Sequence, residues 1–235
     1  MKCLISCCLL FISLLSLSQT IDVDKTDKNP SAITNLFKSG TPYLNAKFIR
    51  VVSGSPFFNE KMMRGTLISR DSTEYRNIVI RLNLLESQVN FLNNKQEELI
   101  VGTPLRAVTM LDTVNKKNYH FIFSDYIETT DKVEKGFYQI LQKGKAGLYA
   151  QHKKVLKESR SYNSATYEQS IETYLTFYVL LEGQWKKINK IKDLPSVLSD
   201  KKSEVQEYIK GLSGYKQEDV ESVINYYNSL FADKK

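Results

Sequence analysis

Alternation of apolar and polar residues is the feature of this sequence that most constrains its fold. It is clearest in residues 77–101, NIVIRLNLLESQVNFLNNKQEELIV, where four apolar residues recur at every second position: Ile78, Ile80, Leu82 and Leu84. Because successive side chains of a strand point to opposite faces, the intervening Val79, Arg81 and Asn83 are predicted to face the other side. This period of two predicts a strand with one buried face.

Two turns divide this segment into three strands. Glu86 and Ser87 form a predicted tight turn, and Val89 and Phe91 resume the alternation after it. Residues 93–95, Asn-Asn-Lys, have turn chemistry because asparagine tolerates positive φ. A third strand follows at residues 99–101, so the segment predicts an antiparallel meander with one buried face.

Similar strand patterns occur over most of the chain, at residues 65–68, 107–111, 119–123, 138–142, 148–152, 174–181 and 184–188. A glycine-bearing loop at 143–147 and the Glu182-Gly183 pair predict hairpins. Nine or ten short strands separated by polar turns indicate a sandwich or an open barrel. We therefore expect an antiparallel β domain over residues 46–192.

The period changes in the C-terminal residues 193–235. Apolar residues there recur at helical spacing in two stretches: Val205, Tyr208, Ile209 and Leu212, then Val220, Val223, Ile224, Tyr227 and Phe231. Ser199 or Asp200 is the predicted N-cap, and Gly214 separates the two helices. The predicted fold class is α+β, mainly β, with a two-helix hairpin packed on the sheet.

The first 18 residues have the pattern of a secretory signal peptide. Lys2 precedes an uncharged run from Cys3 to Ser18, and small residues at Ser16 and Ser18 fit cleavage before Gln19. The apolar run is shorter than the roughly twenty residues of a spanning helix. We expect an exported protein, periplasmic or extracellular, with no transmembrane span after cleavage and with a polar N-terminal extension at residues 19–45.

Two alternatives for the leader remain open. Residues 4–7, Leu-Ile-Ser-Cys, resemble a lipobox that would make Cys7 a lipid carrier, although the apolar run continues beyond this cysteine; an uncleaved anchor is the other alternative. All three cysteines lie in the first eight residues. Cleavage would therefore leave a chain without disulfides, thiolate metal ligands or a cysteine nucleophile.

The charge of the chain is moderately basic, with a net charge of +7. Basic residues are concentrated at residues 152–160 and in the WKKINKIK segment, residues 185–192. Neither stretch forms a recognisable nucleic-acid-binding module, so nucleic acid is not an expected partner. A solvated face, or weak attraction to anionic envelope polymers or lipid head groups, explains this bias better.

No residue is predicted to be catalytic, cofactor-binding or metal-binding. His120 and His152 are far apart in sequence, and each is interpreted as structural; no metal-ligand spacing occurs. The aspartates of residues 22–30 do not fit a calcium loop. Ser53 and Ser55 are interpreted as turn residues, because a nucleophile elbow needs different flanking residues.

The aromatic residues, 14 Tyr, 11 Phe and 1 Trp, are interpreted mainly as core, although a tyrosine-lined face could bind a ligand. Three stretches of the chain resemble a family of uncharacterised exported proteins of Bacteroidota: residues 40–65, residues 78–92 and the YYNSL ending at 226–230. This resemblance covers most of the chain after the leader. It implies export and an envelope location, and it implies no activity, cofactor or site residue.

The sequence therefore predicts a cell-envelope protein that functions by binding or interaction. Enzymatic activity is not expected. Its partner would be an unknown envelope component, whether protein, glycan or lipid, and no cofactor is expected. The alternative is a periplasmic carrier that holds a lipid or other apolar ligand in a cavity of roughly several hundred Å³. A hydrolase built from two distant carboxylates is a third hypothesis.

Overall fold

The computed structural model describes residues 19–22, 51–159, 168–212 and 214–232. The predicted signal peptide, with its three cysteines, lies outside the described residues, as does most of the N-terminal extension. The same holds for Asp24 and the other residues of the rejected calcium loop that follow Asp22.

The described chain forms twelve strands followed by three helices. The strands are β1 Thr20–Asp22, β2 Val51–Ser53, β3 Met63–Ser69, β4 Glu74–Asn83, β5 Gln88–Leu92, β6 Glu98–Ile100, β7 Leu105–Asp112, β8 Lys117–Phe123, β9 Phe137–Gln142, β10 Ala146–Ser159, β11 Glu168–Leu181 and β12 Gln184–Ile188. The helices are α1 Leu194–Val197, α2 Lys202–Ile209 and α3 Gln217–Ser229.

All twelve strands belong to one sheet, whose main order is β12-β11-β10-β9-β8-β7-β3-β4-β5-β6. Neighbours along this path are antiparallel, whereas the short β1 and β2 pair in parallel with β4 and β11. In the described part of the chain the end strands β12 and β6 do not pair with each other, so the sheet is open. The mainly β fold with a helical C-terminus is confirmed. The two parallel strands escaped prediction because three residues are too few to show alternation.

The sheet curls so that distant parts of it meet. A Cβ atom on Gly136, just before β9, would lie 3.5 Å from the Ser87 hydroxyl in the β4–β5 turn, although several strands separate β5 from β9. The curled face encloses a first core contributed by strands β3, β4, β5, β7, β8 and β9 and by the β4–β5 turn: Met63, Leu67, Tyr75, Ile78, Ile80, Leu82, Leu84, Val89, Phe91, Val108, Met110, Phe121 and Phe137.

The prediction of a single buried face is wrong at two asparagines, Asn83 and Asn90, which are 2% and 0% exposed. The Asn83 carboxamide oxygen accepts a hydrogen bond from the backbone N–H of Glu86 at 3.0 Å and so orders the β4–β5 turn. The Asn90 side chain donates to the Glu98 carboxylate at 2.6 Å. Each buried side chain thus has a local polar partner, although the Asn90 Oδ1 atom accepts no hydrogen bond from a described residue.

The β5–β6 turn lies where it was predicted, but its mechanism differs. The residue with positive φ is Gln96, at 62°, and not one of the asparagines. The Asn93 side chain instead accepts hydrogen bonds from the backbone N–H groups of Lys95 and Glu97, each at 2.9 Å. Asparagine contributes here as a hydrogen-bond acceptor.

The helices pack on β9 to β12 and enclose a second core. Four residues of the predicted stripe on α3 are fully buried: Val220, Val223, Ile224 and Tyr227. Burial of each such apolar side chain stabilises the fold by about 1.5–3 kcal/mol. Asn228 adds a polar contact, because its side chain donates to the Ala146 carbonyl at 3.0 Å and accepts from the Ala146 N–H at 2.9 Å. The predicted docking of the helical hairpin is confirmed.

Two details of the helical prediction are wrong. Helix α2 begins at Lys202 with Lys201 as its N-cap residue, and Asp200 instead accepts a hydrogen bond from the Tyr227 hydroxyl at 2.9 Å. Tyr208 and Phe231, predicted in the apolar stripes, are each 37% exposed. The Tyr208 ring stacks on Tyr226 of the neighbouring helix, with 4.3 Å between ring centroids.

Residues 127–135, which we call the strap, cross the opposite face of the sheet. They cover an aromatic cluster in which Trp185 stacks on Tyr178 and meets Tyr138 edge to face. The Thr129 hydroxyl donates to the Gly183 carbonyl at 2.6 Å, and the Glu134 carbonyl accepts from the Tyr138 hydroxyl at 3.0 Å. Of the helices that the structure describes, none has the length and apolar character needed to cross a membrane.

Candidate binding cleft

A cleft of about 470 Å³ lies where the curled sheet brings the β4–β5 turn close to the start of β9. We call it the seam cleft. Its apolar floor consists of Val89, Leu105, Phe123 and Phe137, and its polar rim consists of Arg70, Ser87, Gln88, Thr103, Asp125 and Tyr126. Concave sites with an apolar lining and a few polar groups are typical of ligand binding.

The floor of the seam cleft is held by strand pairing and ring packing. Phe123 ends β8 directly opposite Phe137, which begins β9. Their ring centroids are 5.1 Å apart with an interplanar angle of 73°, a favourable edge-to-face arrangement. Leu105 begins β7 opposite Ser69, and Val89 is buried on β5. The floor is therefore part of the first core.

Arg70 lies on the rim in the turn after β3. Its backbone N–H donates to the Pro104 carbonyl at 3.0 Å, which fixes this turn to the β6–β7 connection. The neighbouring Asp71 carboxylate accepts hydrogen bonds from the Ser69 hydroxyl and the Thr73 backbone, and these bonds lower the pKa of Asp71. Asp71 is thus engaged within the turn. The exposed Arg70 guanidinium makes no ion pair with a described residue.

Asp125 lies on the rim in a short 3-10 turn, Ser124–Tyr126. The Ser124 backbone N–H donates to the Gly136 carbonyl at 2.9 Å, and the Ser124 hydroxyl donates to the Asp125 carboxylate at 3.2 Å. These contacts hold the turn against the start of β9. Of the described residues that line the cleft, Asp125 is the one carboxylate and Arg70 the one cation.

The third hypothesis from the sequence, a hydrolase built from two carboxylates, makes a specific demand on the lining of the seam cleft. A glycosidase-type hydrolysis needs two carboxylates facing each other at roughly 5–10 Å. The described lining of the seam cleft provides a single carboxylate and no histidine, lysine or cysteine. The described lining therefore lacks the carboxylate pair that this hypothesis needs.

A second cleft, of about 330 Å³, lies beside the β7–β8 turn. The Asp112 carboxylate at this place accepts hydrogen bonds from the backbone of Val114 and Asn115, each at 3.0 Å, and from the Asn115 side chain at 2.8 Å. These bonds, those from Asn115 first, lower the pKa of Asp112. Its oxygens organise the turn, so this cleft is the weaker candidate.

The two histidines considered from the sequence lie in different surroundings. The His152 Nε2 atom is 2.8 Å from the Gln139 carboxamide oxygen, and Phe58 packs against its ring. Burial, with smaller contributions from Lys154 and Lys117, lowers the pKa of His152 to about 4. His120 is exposed and hydrogen-bonds Thr109 through Nδ1 at 3.2 Å. Neither lines the seam cleft.

The other residues considered from the sequence also have structural contacts. The Ser55 hydroxyl accepts a hydrogen bond from the Phe57 backbone N–H at 3.2 Å, which confirms its role in a turn. The interpretation of Ser53 as a turn residue is wrong, because Ser53 ends β2 and pairs with Ser170 of β11. Within the described ranges, no group of three or more His, Cys, Asp or Glu side chains is placed to hold a metal ion.

The carrier hypothesis requires a continuous apolar cavity inside the fold. The first core is instead filled along its described strands, since Leu67, Ile80 and Leu82 are 0% exposed. The seam cleft and the second cleft both open to solvent. An apolar ligand would therefore bind at the surface in the seam cleft, in contact with its charged rim.

Sequence patterns gave no indication of the seam cleft. Arg70 occurs in a polar turn, and Asp125 follows a strand, so each has an ordinary local context. The curl of the sheet brings them to one cleft from distant parts of the chain. The seam cleft could have been predicted only if the proximity of β5 to the start of β9 had been predicted first.

Comparison with known proteins provides no further guide to the site. No protein-family model matches the chain, and no curated protein or solved structure matches it significantly.

Proposed function

We propose that this chain is an exported, non-enzymatic binding domain of the cell envelope and that the seam cleft is its ligand site. The observation that carries the proposal is the combination of an apolar floor with a polar rim in one concave site. The single carboxylate among the described lining residues supports binding over hydrolysis. The export part is supported by the signal-like residues 1–18 and by the resemblance to exported proteins of Bacteroidota.

The test compares two tryptophan variants of the full chain. Gln88 is exposed on the cleft rim, so Gln88→Trp should fill the cleft; Gln184 is exposed at the start of β12 and does not line it. Gln184→Trp is therefore the matched control. Circular dichroism and urea unfolding of both variants establish that the fold is retained.

Each protein is immobilised and exposed to detergent-solubilised native envelope, and the retained proteins, glycans and lipids are identified by mass spectrometry. We expect a component that wild type and Gln184→Trp retain equally and that Gln88→Trp loses about tenfold, equivalent to about 1.4 kcal/mol. Equal retention by both variants would contradict the seam cleft as the binding site. A lipid in the Gln88-dependent fraction would favour the alternative of a periplasmic carrier.

A further inference from the structure

We infer that the seam cleft takes a small zwitterion with an apolar body, of which a short apolar peptide with free termini is the simplest example. This inference rests on the proposed function and specifies the chemical class of its ligand. It follows from three features of the cleft: one guanidinium, one carboxylate and an apolar floor.

The Arg70 guanidinium is suited to a ligand carboxylate. Its planar fork of N–H donors matches the two oxygens of a carboxylate and can bind both at once. The nearest acid in sequence, Asp71, accepts hydrogen bonds from Ser69 and Thr73 at its Oδ1 atom, and it forms no ion pair with Arg70. With no described ion-pair partner, Arg70 is the group that would recognise the negative end of a ligand.

The Asp125 carboxylate is suited to a ligand ammonium. The Ser124 hydroxyl donates to its Oδ1 atom, and no hydrogen bond to its Oδ2 atom comes from a described residue. No described lysine or arginine forms an ion pair with it. A ligand ammonium would add the missing positive charge at this side of the rim.

The pair of opposite charges discriminates among ligand classes. A polyanion would meet repulsion from Asp125, and a polycation would meet repulsion from Arg70. A neutral apolar molecule would cover the floor but leave both charged groups partly desolvated without partners, which is unfavourable. A molecule with one charge of each sign and an apolar body satisfies Arg70, Asp125 and the floor of Phe123, Phe137 and Leu105 together.

Isothermal titration calorimetry with three dipeptides tests this inference on the full chain. The probes are Leu-Phe with free termini, N-acetyl-Leu-Phe, which lacks the ammonium, and Leu-Phe amide, which lacks the carboxylate. We expect wild type to bind the free dipeptide at least about tenfold more tightly than either blocked form.

Two charge-neutral variants assign the ends of the ligand. Arg70→Gln should bind the free dipeptide and its amide equally, while still discriminating against the acetylated form. Asp125→Asn should show the converse pattern. Lys132→Gln and Glu128→Gln, at exposed positions outside the cleft lining, are matched controls and should retain both preferences.

Equal affinity for the three dipeptides, or no binding of any, would overturn the zwitterion inference. If the envelope experiment nevertheless shows a component lost only in Gln88→Trp, the seam cleft remains the binding site and only the ligand class is wrong. If Gln88→Trp and Gln184→Trp behave alike there, the proposed function itself fails. The two sets of variants thus separate the two failures.

Discussion

The Asp131 carboxylate accepts a hydrogen bond from the backbone N–H of Trp185 at 2.7 Å and fastens the strap to strand β12. In the described sheet, β12 is the strand at one end of the path, so the outward N–H of Trp185 has no neighbouring strand to bond. Exposed edge N–H groups invite pairing with other chains. Asp131 therefore satisfies a backbone group and shields part of the edge at the same time.

Removal of this carboxylate should destabilise the fold. Asp131→Ala leaves the partly buried Trp185 N–H without an acceptor, and we expect the free energy of unfolding to fall by about 1–3 kcal/mol. Urea unfolding followed by Trp185 fluorescence measures the change. Lys132→Ala, at the exposed neighbouring position, should have little effect; an equal loss in both variants would show that the hydrogen bond is not the cause.

Two glycines with nearly the same backbone conformation should respond differently to alanine. Gly54 has φ 80° and a Cβ there would lie 2.0 Å from the Ile171 carbonyl oxygen, whereas Gly183 has φ 78° and nothing within 4 Å. Gly183→Ala should cost about 1–2 kcal/mol from positive φ alone. Gly54→Ala should cost about 1–3 kcal/mol more because Ile171 must move.

Urea unfolding of both alanine variants measures this difference. Gly54 follows β2, which pairs with the first residues of β11, next to Ile171. Hydrogen exchange should therefore also increase in the N-terminal half of β11 in Gly54→Ala. Equal destabilisation in the two variants would mean that the close approach of Gly54 to Ile171 does not affect the free energy of unfolding.

His152 should make the fold less stable in mild acid. Its folded pKa of about 4 lies below the unfolded value of 6.5, so between these values the unfolded chain binds a proton that the folded chain does not. The stability that neutral, buried His152 contributes is fully present above pH 6.5 and is lost as the pH falls toward 4. The loss of unfolding free energy is at most about 3.5 kcal/mol.

Urea unfolding at several pH values between 4 and 7 tests this linkage. The difference in stability between wild type and His152→Gln should change over this window, because all other titrating groups are common to both proteins. His120→Gln, at the exposed histidine, should follow wild type. A constant difference between wild type and His152→Gln would show that the histidine is not buried in its neutral form.

The WKKINKIK segment should not act as a single anion-binding face. Lys186 and Lys187 are adjacent on β12 and therefore point to opposite faces of the sheet, while Lys190 and Lys192 follow the strand. Replacement of all four lysines by glutamine should shift elution from an anionic column no more than replacement of Lys95, Lys116, Lys117 and Lys132. A clearly larger shift would indicate a specific polymer site.

The sequence predicts local structure here because alternation and helical spacing record which side chains are buried. Ile80 and Leu82 on β4, and Val220 and Ile224 on α3, occupy the buried positions that their spacing indicates. The exceptions have local causes that alternation does not reveal. Asn83 is buried because the Glu86 N–H needs an acceptor, and Asp200 faces Tyr227 instead of capping α2.

The candidate site was not predictable from such patterns. Arg70, Ser87, Asp125 and Phe137 meet only because the sheet curls, and the approach of Gly136 to Ser87 leaves no periodic signal in the sequence. The resemblance stated from the sequence carried no site residues either. A binding cleft made from strand ends requires the three-dimensional arrangement of those ends.

The pairing of β3 with β7 also has a consequence for the order of folding. Strands β7 to β12 follow one another as neighbours, so each can add to the one before it through a local connection. Ser69 can meet Leu105 only after the chain through β4, β5 and β6 has closed a long loop. Since non-local pairing slows folding, the rate-limiting step is expected to be the joining of the β3–β6 unit to a C-terminal half that is already assembled.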